Sequence, residues 1–240
     1  MSSKKVVLAY SGGLDTACIL KTLIQQGYDV VAFVANVGQL EDFEDIERRA
    51  RETGASEVFV EDLQLPFVTD FIWPAIAGKA VYENRYLLGT ALARPVIARR
   101  QVEVARKVGA TALAHGATGK GNDQVRFELA FAALAPDLEI IAPWKDPEFL
   151  ERFQGRRDLL AFAAEHDIPV EATAEKPYSS DENVMHRSYE AGLLEDPDAT
   201  PPADMFKLTR ALEDTPDTAD RVAVRFKDAM PIEVEHLDDG

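Results

Sequence analysis

Cysteine is nearly absent from this chain, which has a single cysteine, Cys18, among 240 residues. One thiol excludes an intrachain disulfide and any cysteine-rich metal cluster. Cys18 falls within a segment of helical spacing, where a small buried hydrophobic residue is expected rather than a nucleophile. No apolar run is long enough to cross a membrane, and the segment Met1–Lys5 lacks the pattern of a signal peptide. We therefore expect a cytoplasmic protein without a membrane partner.

Positive charge is also scarce, with 26 Lys and Arg against 42 Asp and Glu and a formal net charge of −16. Such a surface repels a phosphate backbone, so general nucleic-acid binding is not expected. A small anion could still be held by local donors. The hydrophobic content of 46% and the length are ordinary for a globular protein with a full core.

The familiar phosphate-binding loops are missing as well, because neither G-x-x-x-x-G-K-[S/T] nor G-x-G-x-x-G occurs near the first glycines. The loop present there is Ser11-Gly12-Gly13-Leu14-Asp15-Thr16, between the apolar run Lys5–Ala9 and a segment of helical spacing. Glycines let the main chain approach an anion closely, and a helix N-terminus favours negative charge. Ser11 and Thr16 add hydroxyl donors. We interpret the loop as a phosphate site; the alternative is a tight turn in which Ser11 caps the helix.

The rest of the chain alternates between short apolar runs and helical patterns. Five such runs predict a parallel sheet with helices on both faces, an α/β fold whose ligands lie at the carboxyl ends of the strands. The predicted strands are Lys5–Tyr10, Asp29–Ala35, Glu57–Glu61, Thr111–His115 and Glu139–Ala142. The predicted helices are Asp15–Gln26, Asp42–Thr53, a segment beginning at Pro66, Arg94–Val108, Asp123–Leu134 and Asp158–Glu165. A hairpin is predicted from Arg221–Phe226 and Pro231–Val234.

A second glycine loop, His115–Glu128, follows the fourth predicted strand and is expected at the same edge as the first loop. Thr118 and Asn122 offer neutral hydrogen-bonding groups, while Arg126 offers a charge for a phosphate or carboxylate. Asp123 can accept from an ammonium group. This mixture suits an amino acid beside a nucleotide; the alternative is a capped helix behind a flexible loop. His115 needs no catalytic role and is expected to bond the neighbouring loop.

Five ordered blocks resemble the argininosuccinate synthase family, whose first loop belongs to the N-type ATP pyrophosphatases. The blocks are Ala9–Thr16, Tyr82-Glu83 with Tyr86–Thr90, His115–Glu128, Ala142-Pro143-Trp144, and Asp181-Glu182-Asn183 with Ser188-Tyr189-Glu190. The resemblance implies an adenine-nucleotide alpha hydrolase-like parallel sheet over residues 1–168. It also implies that residues 169–240 begin a second α+β domain for synthesis and multimerisation.

The resemblance implies ATP-dependent ligation of citrulline and aspartate through a citrulline-adenylate, with Mg²⁺, in a homotetramer. No side chain would act as a covalent nucleophile, and no protein metal site is expected. The implied ATP-binding residues are Ala9, Tyr10, Ser11, Gly12, Gly13, Leu14, Asp15, Thr16, Ala17, Ala35 and Gly116. The implied citrulline-binding residues are Tyr86, Asn122, Arg126, Ser179 and Ser188, and those for aspartate are Thr118, Asn122 and Asp123.

The chain also departs from the family pattern. Ala91 stands where the family often has a serine that contacts citrulline, and Arg187 stands where an apolar residue is usual. Members of the family are longer, so the resemblance implies a truncated chain without most of the second domain. A non-catalytic ATP-binding fragment and another ATP-pyrophosphatase ligase therefore stay open as alternatives. Thiolation of tRNA would need more cysteines and a basic face, and amidation would need a glutaminase domain.

Overall fold

A computed structural model describes residues 4–170 and 178–237 of the chain. The chain divides into two compact units, Met1–Gly192 and Leu193–Gly240. The boundary predicted between residues 168 and 169 concerns domains of a longer protein and stays a prediction. Within the described ranges, no helix combines the length and the apolar character that crossing a membrane requires.

The first unit is built on a sheet of five parallel strands, as the sequence predicts. Strand order across the sheet is β3-β2-β1-β4-β5. The chain thus runs from β1 outward to β3 on one side and then crosses to β4 and β5 on the other. Ligands bind in such sheets where this reversal leaves a crevice, here at the carboxyl ends of β1 and β4. The strands are β1 (Lys5–Ala9), β2 (Asp29–Asn36), β3 (Glu57–Asp62), β4 (Ala112–Ala114) and β5 (Glu139–Ile141).

Helices cover both faces of this sheet, which confirms the predicted fold class. They are α1 (Leu14–Gln25), α2 (Phe43–Thr53), α3 (Gln64–Phe67), a π-helical segment (Val68–Ile72), α4 (Trp73–Ala77), α5 (Gly89–Val108), α6 (Asn122–Leu134), α7 (Pro147–Arg152) and α8 (Arg156–Glu165). Side chains of β1 alternate between the faces: Val6 and Leu8 pack in the core with α1, α2, α7 and α8, whereas Val7 packs with α5 and α6. The predicted start of α5 at Arg94 is wrong by five residues.

Gln101 of α5 ties this helix to the two central strands. Its side chain is fully buried, and its Nε2 donates to the carbonyl oxygens of Val7 and Ala114, both at 2.9 Å. A buried amide with two such bonds holds a helix in register with the strands beneath it. The start of α5 therefore has a fixed position beside the carboxyl ends of β1 and β4.

Two antiparallel hairpins follow the sheet. The first belongs to the same unit and consists of β6 (Ser179–Glu182) and β7 (Arg187–Glu190). The second belongs to the other unit and consists of β8 (Arg221–Lys227) and β9 (Met230–Leu237), which confirms the predicted hairpin. Asp228 and Ala229 connect β8 to β9 with φ values of 50° and 61°, the backbone of the tight turn that matches strand twist.

Candidate functional site

The first glycine loop leaves the carboxyl end of β1 and enters α1. Gly12 has a φ of 74°, and a Cβ there would lie 2.9 Å from Cγ1 of Ile46. Its carbonyl oxygen accepts a 2.7 Å bond from Nη1 of the buried Arg49, whose Nε donates to Asp45 at 2.7 Å. Both the conformation and the lack of space require glycine, and Arg49 clamps the loop to α2.

The first glycine loop carries hydroxyl groups and leads into helix N–H donors, two features that are expected of an anion site. The Oγ of Ser11 lies 3.1 Å from Oγ1 of Thr16, and the Ser11 N–H donates to the same Oγ1 at 3.3 Å. Gly13 is the N-cap residue of α1 and has no side chain with which to cap the helix. The N–H groups of the first turn, on Leu14, Asp15 and Thr16, therefore lack intrahelical acceptors and can bind an anion.

Several residues of the predicted ATP set have side chains that face the core. The Tyr10 ring is 3% exposed, and burial raises the pKa of its phenol to about 12. Leu14 and Ala17 are buried too, and the Ala17 N–H donates to the Gly13 carbonyl oxygen at 3.0 Å. Ala9 and Ala35 are partly buried against the core on the α5 side. These side chains support the loop from behind, so a contact with nucleotide would come from main-chain atoms.

The second glycine loop lies directly against the first. Strands β1 and β4 pair in parallel, with Leu8 opposite Ala114, so the loops that follow them share one edge. A Cβ on Gly116 would be 2.7 Å from Cγ2 of Thr16, which is closer than side chains tolerate. The prediction that both loops meet at the same edge is thereby confirmed.

His115, between β4 and the second loop, has a structural role in the fold. Its ring is fully buried and stacked on Phe127, with 5.4 Å between ring centroids. Its Nδ1 accepts from the Ala117 N–H at 3.3 Å, and burial lowers the pKa of the imidazole. A neutral ring that bonds the neighbouring loop agrees with the expectation from sequence.

The second loop then leads into α6, whose N-cap residue likewise has no side chain with which to cap the helix. Gly121 is the N-cap residue, and its N–H donates to the Thr118 carbonyl oxygen at 3.2 Å. Thr118 and Asn122 are exposed beside this helix end. Neutral hydrogen-bonding groups and free helix N–H groups thus occur together, an arrangement that can hold a carboxylate.

A cluster of four charged residues lies at the start of α6. Nε of Arg94 donates to Oδ2 of Asp123 at 2.8 Å, and Nη1 of Arg126 donates to Oδ1 of the same carboxylate at 2.7 Å. Arg94 also bonds Asp181 of β6. Burial alone would lower the pKa of Arg94, but the carboxylates of Asp181 and Asp123 raise it on balance. Of the two predicted residues, Asp123 is therefore bonded by Arg94, which sequence reasoning missed, and Arg126 is bonded by Asp123.

The β6–β7 hairpin brings the predicted serines to this cluster. Ser188 pairs with Asp181 across the hairpin and is half-buried, whereas Ser179 is exposed two residues before Asp181. The turn of the hairpin contacts the loop after β2, where the Val184 N–H donates to the Val37 carbonyl oxygen at 2.8 Å. The hairpin therefore touches the sheet edge as well as α5.

Arg187, a departure from the family pattern, forms an ion pair within the hairpin, with 2.7 Å between its Nη2 and Oε2 of Glu182.

Tyr86 precedes α5 and packs edge-on against His186 of the same hairpin, with 5.4 Å between ring centroids. His186, like Arg94, carried no local signal of function, since its partners are distant in sequence. Among the described residues, no three His, Cys, Asp or Glu side chains converge as a metal site would require.

Comparison with known proteins gives matches over nearly the whole chain. Residues 5–169 match the arginosuccinate synthase N-terminal HUP domain, and residues 178–239 match the arginosuccinate synthase C-terminal domain. The argininosuccinate synthase of Thermotoga petrophila is 58% identical over 237 residues, which cover 99% of this chain and 58% of that protein. Those of Danio rerio and Homo sapiens are each 55% identical, over 240 and 241 residues, and cover 100% of this chain. The chain spans 58% of the length of these relatives.

Proposed function

Since this chain belongs to the argininosuccinate synthase family, we propose that it binds ATP, citrulline and aspartate and ligates the two amino acids at the expense of ATP. The observation that carries the proposal is the contact between the two glycine loops at the carboxyl ends of β1 and β4. One loop offers donors for phosphate, and the other leads to the charged cluster at the start of α6. A nucleotide and two amino acids can thus meet at one edge.

ATP would lie along the first loop, with its phosphates near the N-terminus of α1. The N–H groups of the first helical turn and the hydroxyls of Ser11 and Thr16 are the donors that support this placement. Gly116 would let the second loop approach the same phosphates. The adenosine would extend towards Ala35, at the carboxyl end of β2, which is the strand next to β1.

Citrulline and aspartate would lie beside the charged cluster. Arg126 keeps further N–H donors after its bond to Asp123, because a guanidinium has five. These can hold the carboxylate of citrulline together with Asn122, Ser179, Ser188 and the hydroxyl of Tyr86. Thr118 and Asn122 can hold a carboxylate of aspartate, and Asp123 can accept from its ammonium group. The two oxygens of Asp123 each retain acceptor capacity beyond their arginine bonds.

The proposed reaction has two displacements. The ureido oxygen of citrulline bonds to the α-phosphorus of ATP, the bond to the bridging oxygen breaks, and pyrophosphate leaves. The amine of aspartate, after losing a proton, then bonds to the ureido carbon, and AMP leaves with the former ureido oxygen. Loss of the second amine proton gives argininosuccinate. Positioning and electrostatic stabilisation carry both steps, which suits a site of loops and helix ends without a nucleophilic side chain.

Mg²⁺ would neutralise charge on the triphosphate and on the leaving pyrophosphate. Since the described residues offer no converging group of three carboxylates or imidazoles, the phosphates themselves would supply most of its ligands. Asp15, in the first turn of α1, is the nearest acidic residue in the loop sequence. Cytoplasmic location and assembly as a homotetramer are further proposals from the family.

Release of AMP and pyrophosphate from ATP, with each amino acid omitted in turn, tests the proposal. Release that requires both citrulline and aspartate supports the complete ligation. Release with citrulline alone supports adenylation only, and ATP binding without release in any mixture favours a nucleotide-binding fragment. Absence of ATP binding by a folded, monodisperse sample contradicts the proposal entirely.

Asp123→Asn tests the amino-acid half of the site. We expect loss of the aspartate-dependent step with ATP affinity retained, because the amide cannot accept from Arg94 and Arg126 on both of its atoms. Asp137→Asn is the matched control, since Asp137 is an exposed residue paired only with Arg106 among the bonds described. Equal rates for Asp123→Asn and the unmodified protein would remove Asp123 from the site.

A further inference from the structure

His186 lies in the turn between β6 and β7 and caps a helix that is distant in sequence. Its Nε2 accepts a 2.8 Å bond from the N–H of Gly89, the first residue of α5, across 97 residues of chain. The N-cap residue of α5 is Leu88, which has a φ of 66° and cannot cap with its side chain. His186 therefore replaces the local cap that most helices have.

This contact leaves little freedom at the start of α5. A Cβ on Gly89 would lie 2.6 Å from Nε2 of His186, so only glycine permits the bond. The Tyr86 ring packs edge-on against the imidazole from the preceding loop. One and a half turns further along α5, Arg94 bonds Asp181 of the same hairpin. The hairpin is thus attached to α5 at two points, and Tyr86 packs beside the first of them.

The bond requires a neutral imidazole. An accepting Nε2 must be unprotonated, so the single proton of the neutral ring lies on Nδ1. The groups that face the ring act in opposite directions: the positive end of α5 disfavours a charged ring, and the Asp181 carboxylate, itself paired with Arg94, favours it. Burial has the largest effect and lowers the pKa of His186 below its usual 6.5.

We propose that His186 is a positioning residue that, as the neutral Nδ1–H tautomer, holds the β6–β7 hairpin against α5 and Tyr86. The inference rests on the proposed function, because the hairpin carries Ser179 and Ser188, two of the residues proposed for citrulline. Protonation removes the acceptor from Gly89 and places a second positive charge at the end of α5. The hairpin then separates from Tyr86, and the citrulline site loses its geometry while the first glycine loop is unaffected.

Nitrogen-15 NMR of the histidine rings tests the contact without any ligand. At pH 8 we expect the Nδ1–H tautomer for His186 and a large protection factor for the Gly89 amide, which is the exchange rate of an unstructured amide divided by its own at the same pH. At the acid end of a titration that follows the ring nitrogens down from pH 8, we expect a charged ring and a smaller protection factor at Gly89. The Nε2–H tautomer at pH 8, or a protection factor at Gly89 that is the same at both ends of the titration, would overturn the proposal.

Calorimetry of citrulline binding, with a nonhydrolysable ATP analogue at saturation, tests the consequence. For the unmodified chain we expect affinity about tenfold weaker at the acid end of that titration, where the ring is charged, than at pH 8, equivalent to 1.4 kcal/mol. His186→Gln keeps an oxygen acceptor that does not titrate, so its affinity should depend little on pH. His186→Ala should bind citrulline weakly at both pH values. His166→Gln is the control, since His166 follows the C-terminus of α8 and bonds Gln25, and it should behave like the unmodified chain.

Normal, pH-dependent binding by His186→Ala would overturn the positioning role. If the unmodified chain binds no citrulline at either pH while the NMR shows the expected tautomer, the proposed function is contradicted, but the contact between His186 and Gly89 is supported. If the NMR shows the Nε2–H tautomer and citrulline binds normally, the proposed function is supported and the positioning role of His186 is contradicted. The two measurements therefore separate the two claims.

Discussion

Gly116→Ala is the substitution for which the structure gives the sharpest expectation. The new Cβ would lie 2.7 Å from Cγ2 of Thr16 and 3.4 Å from Cδ1 of Ile19, and Gly116 does not have a left-handed φ. The cost is therefore overpacking rather than backbone strain, and overpacking typically costs about 1–3 kcal/mol. In a unit of this size that corresponds to a fall of about 2–12 °C in Tm.

Two further variants identify the contact that is responsible. Thr16→Ser removes Cγ2 but keeps the hydroxyl, so the double variant with Gly116→Ala should recover most of the lost stability. Gly155→Ala is the control, because no atom lies within 4 Å of a Cβ at Gly155. Thermal unfolding by circular dichroism measures stability, and calorimetry measures ATP affinity, which we expect to fall and recover together with stability. Additive effects of the two substitutions would refute the contact between the loops.

Three other perturbations have expected outcomes. Arg94→Met should lower the free energy of unfolding by about 2 kcal/mol. This is less than the loss expected on breaking a fully buried ion pair, because the side chains of Asp123 and Asp181 are 31% and 28% exposed. Urea unfolding measures this, and Arg106→Met, which removes an exposed pair, should leave the midpoint unchanged. In the same assay, Gly38→Ala should lower the free energy of unfolding more than Gly27→Ala does. Both glycines have a positive φ, but only a Cβ at Gly38 would overlap Val184 in the hairpin turn. Equal effects would contradict the contact between the hairpin and the loop after β2. Burial raises the pKa of Cys18 from 9.0 and that of Tyr10 from 10.0, each to about 12. Because the unfolded chain would lose these protons at lower pH than the folded chain, the two groups stabilise the fold fully below pH 9. The free energy of unfolding should therefore fall between pH 9 and 12. Cys18→Ala should reduce that fall in urea titrations at successive pH values, and an unchanged slope would count against a buried thiol.

Local signals were sufficient to predict the sheet and the two loops. The run Lys5–Ala9 is apolar on both sides because β1 is central, and the glycines that follow it allow only a sharp turn. The β8–β9 hairpin was predicted from two apolar runs, and the turn at Asp228 and Ala229 fits between them. In each of these cases, residues that are neighbours in sequence determine the structure.

Contacts between distant residues account for what was missed. The start of α5 was placed at Arg94, beside Pro95, whereas the helix begins at Gly89, where the N-cap residue Leu88 has no capping side chain and the actual cap is His186. Hairpin β6–β7 has the polar strand Ser179–Glu182, which lacks an alternating pattern. Arg94 was interpreted only as a helix residue, because its two carboxylate partners lie 29 and 87 residues away. Long-range electrostatic contacts of this kind have no local sequence pattern.

The attachment of the β6–β7 hairpin has a consequence for the order of folding. Its bonds from His186 and Asp181 to α5 close loops of 97 and 87 residues, whereas the last strand of the sheet ends at Ile141. Loop closure of this length is entropically costly and comes late. During synthesis, the five-stranded sheet and both glycine loops leave the ribosome before the hairpin exists. We therefore expect the nucleotide half of the site to form first, and the citrulline half to be the part that opens when the native protein unfolds locally.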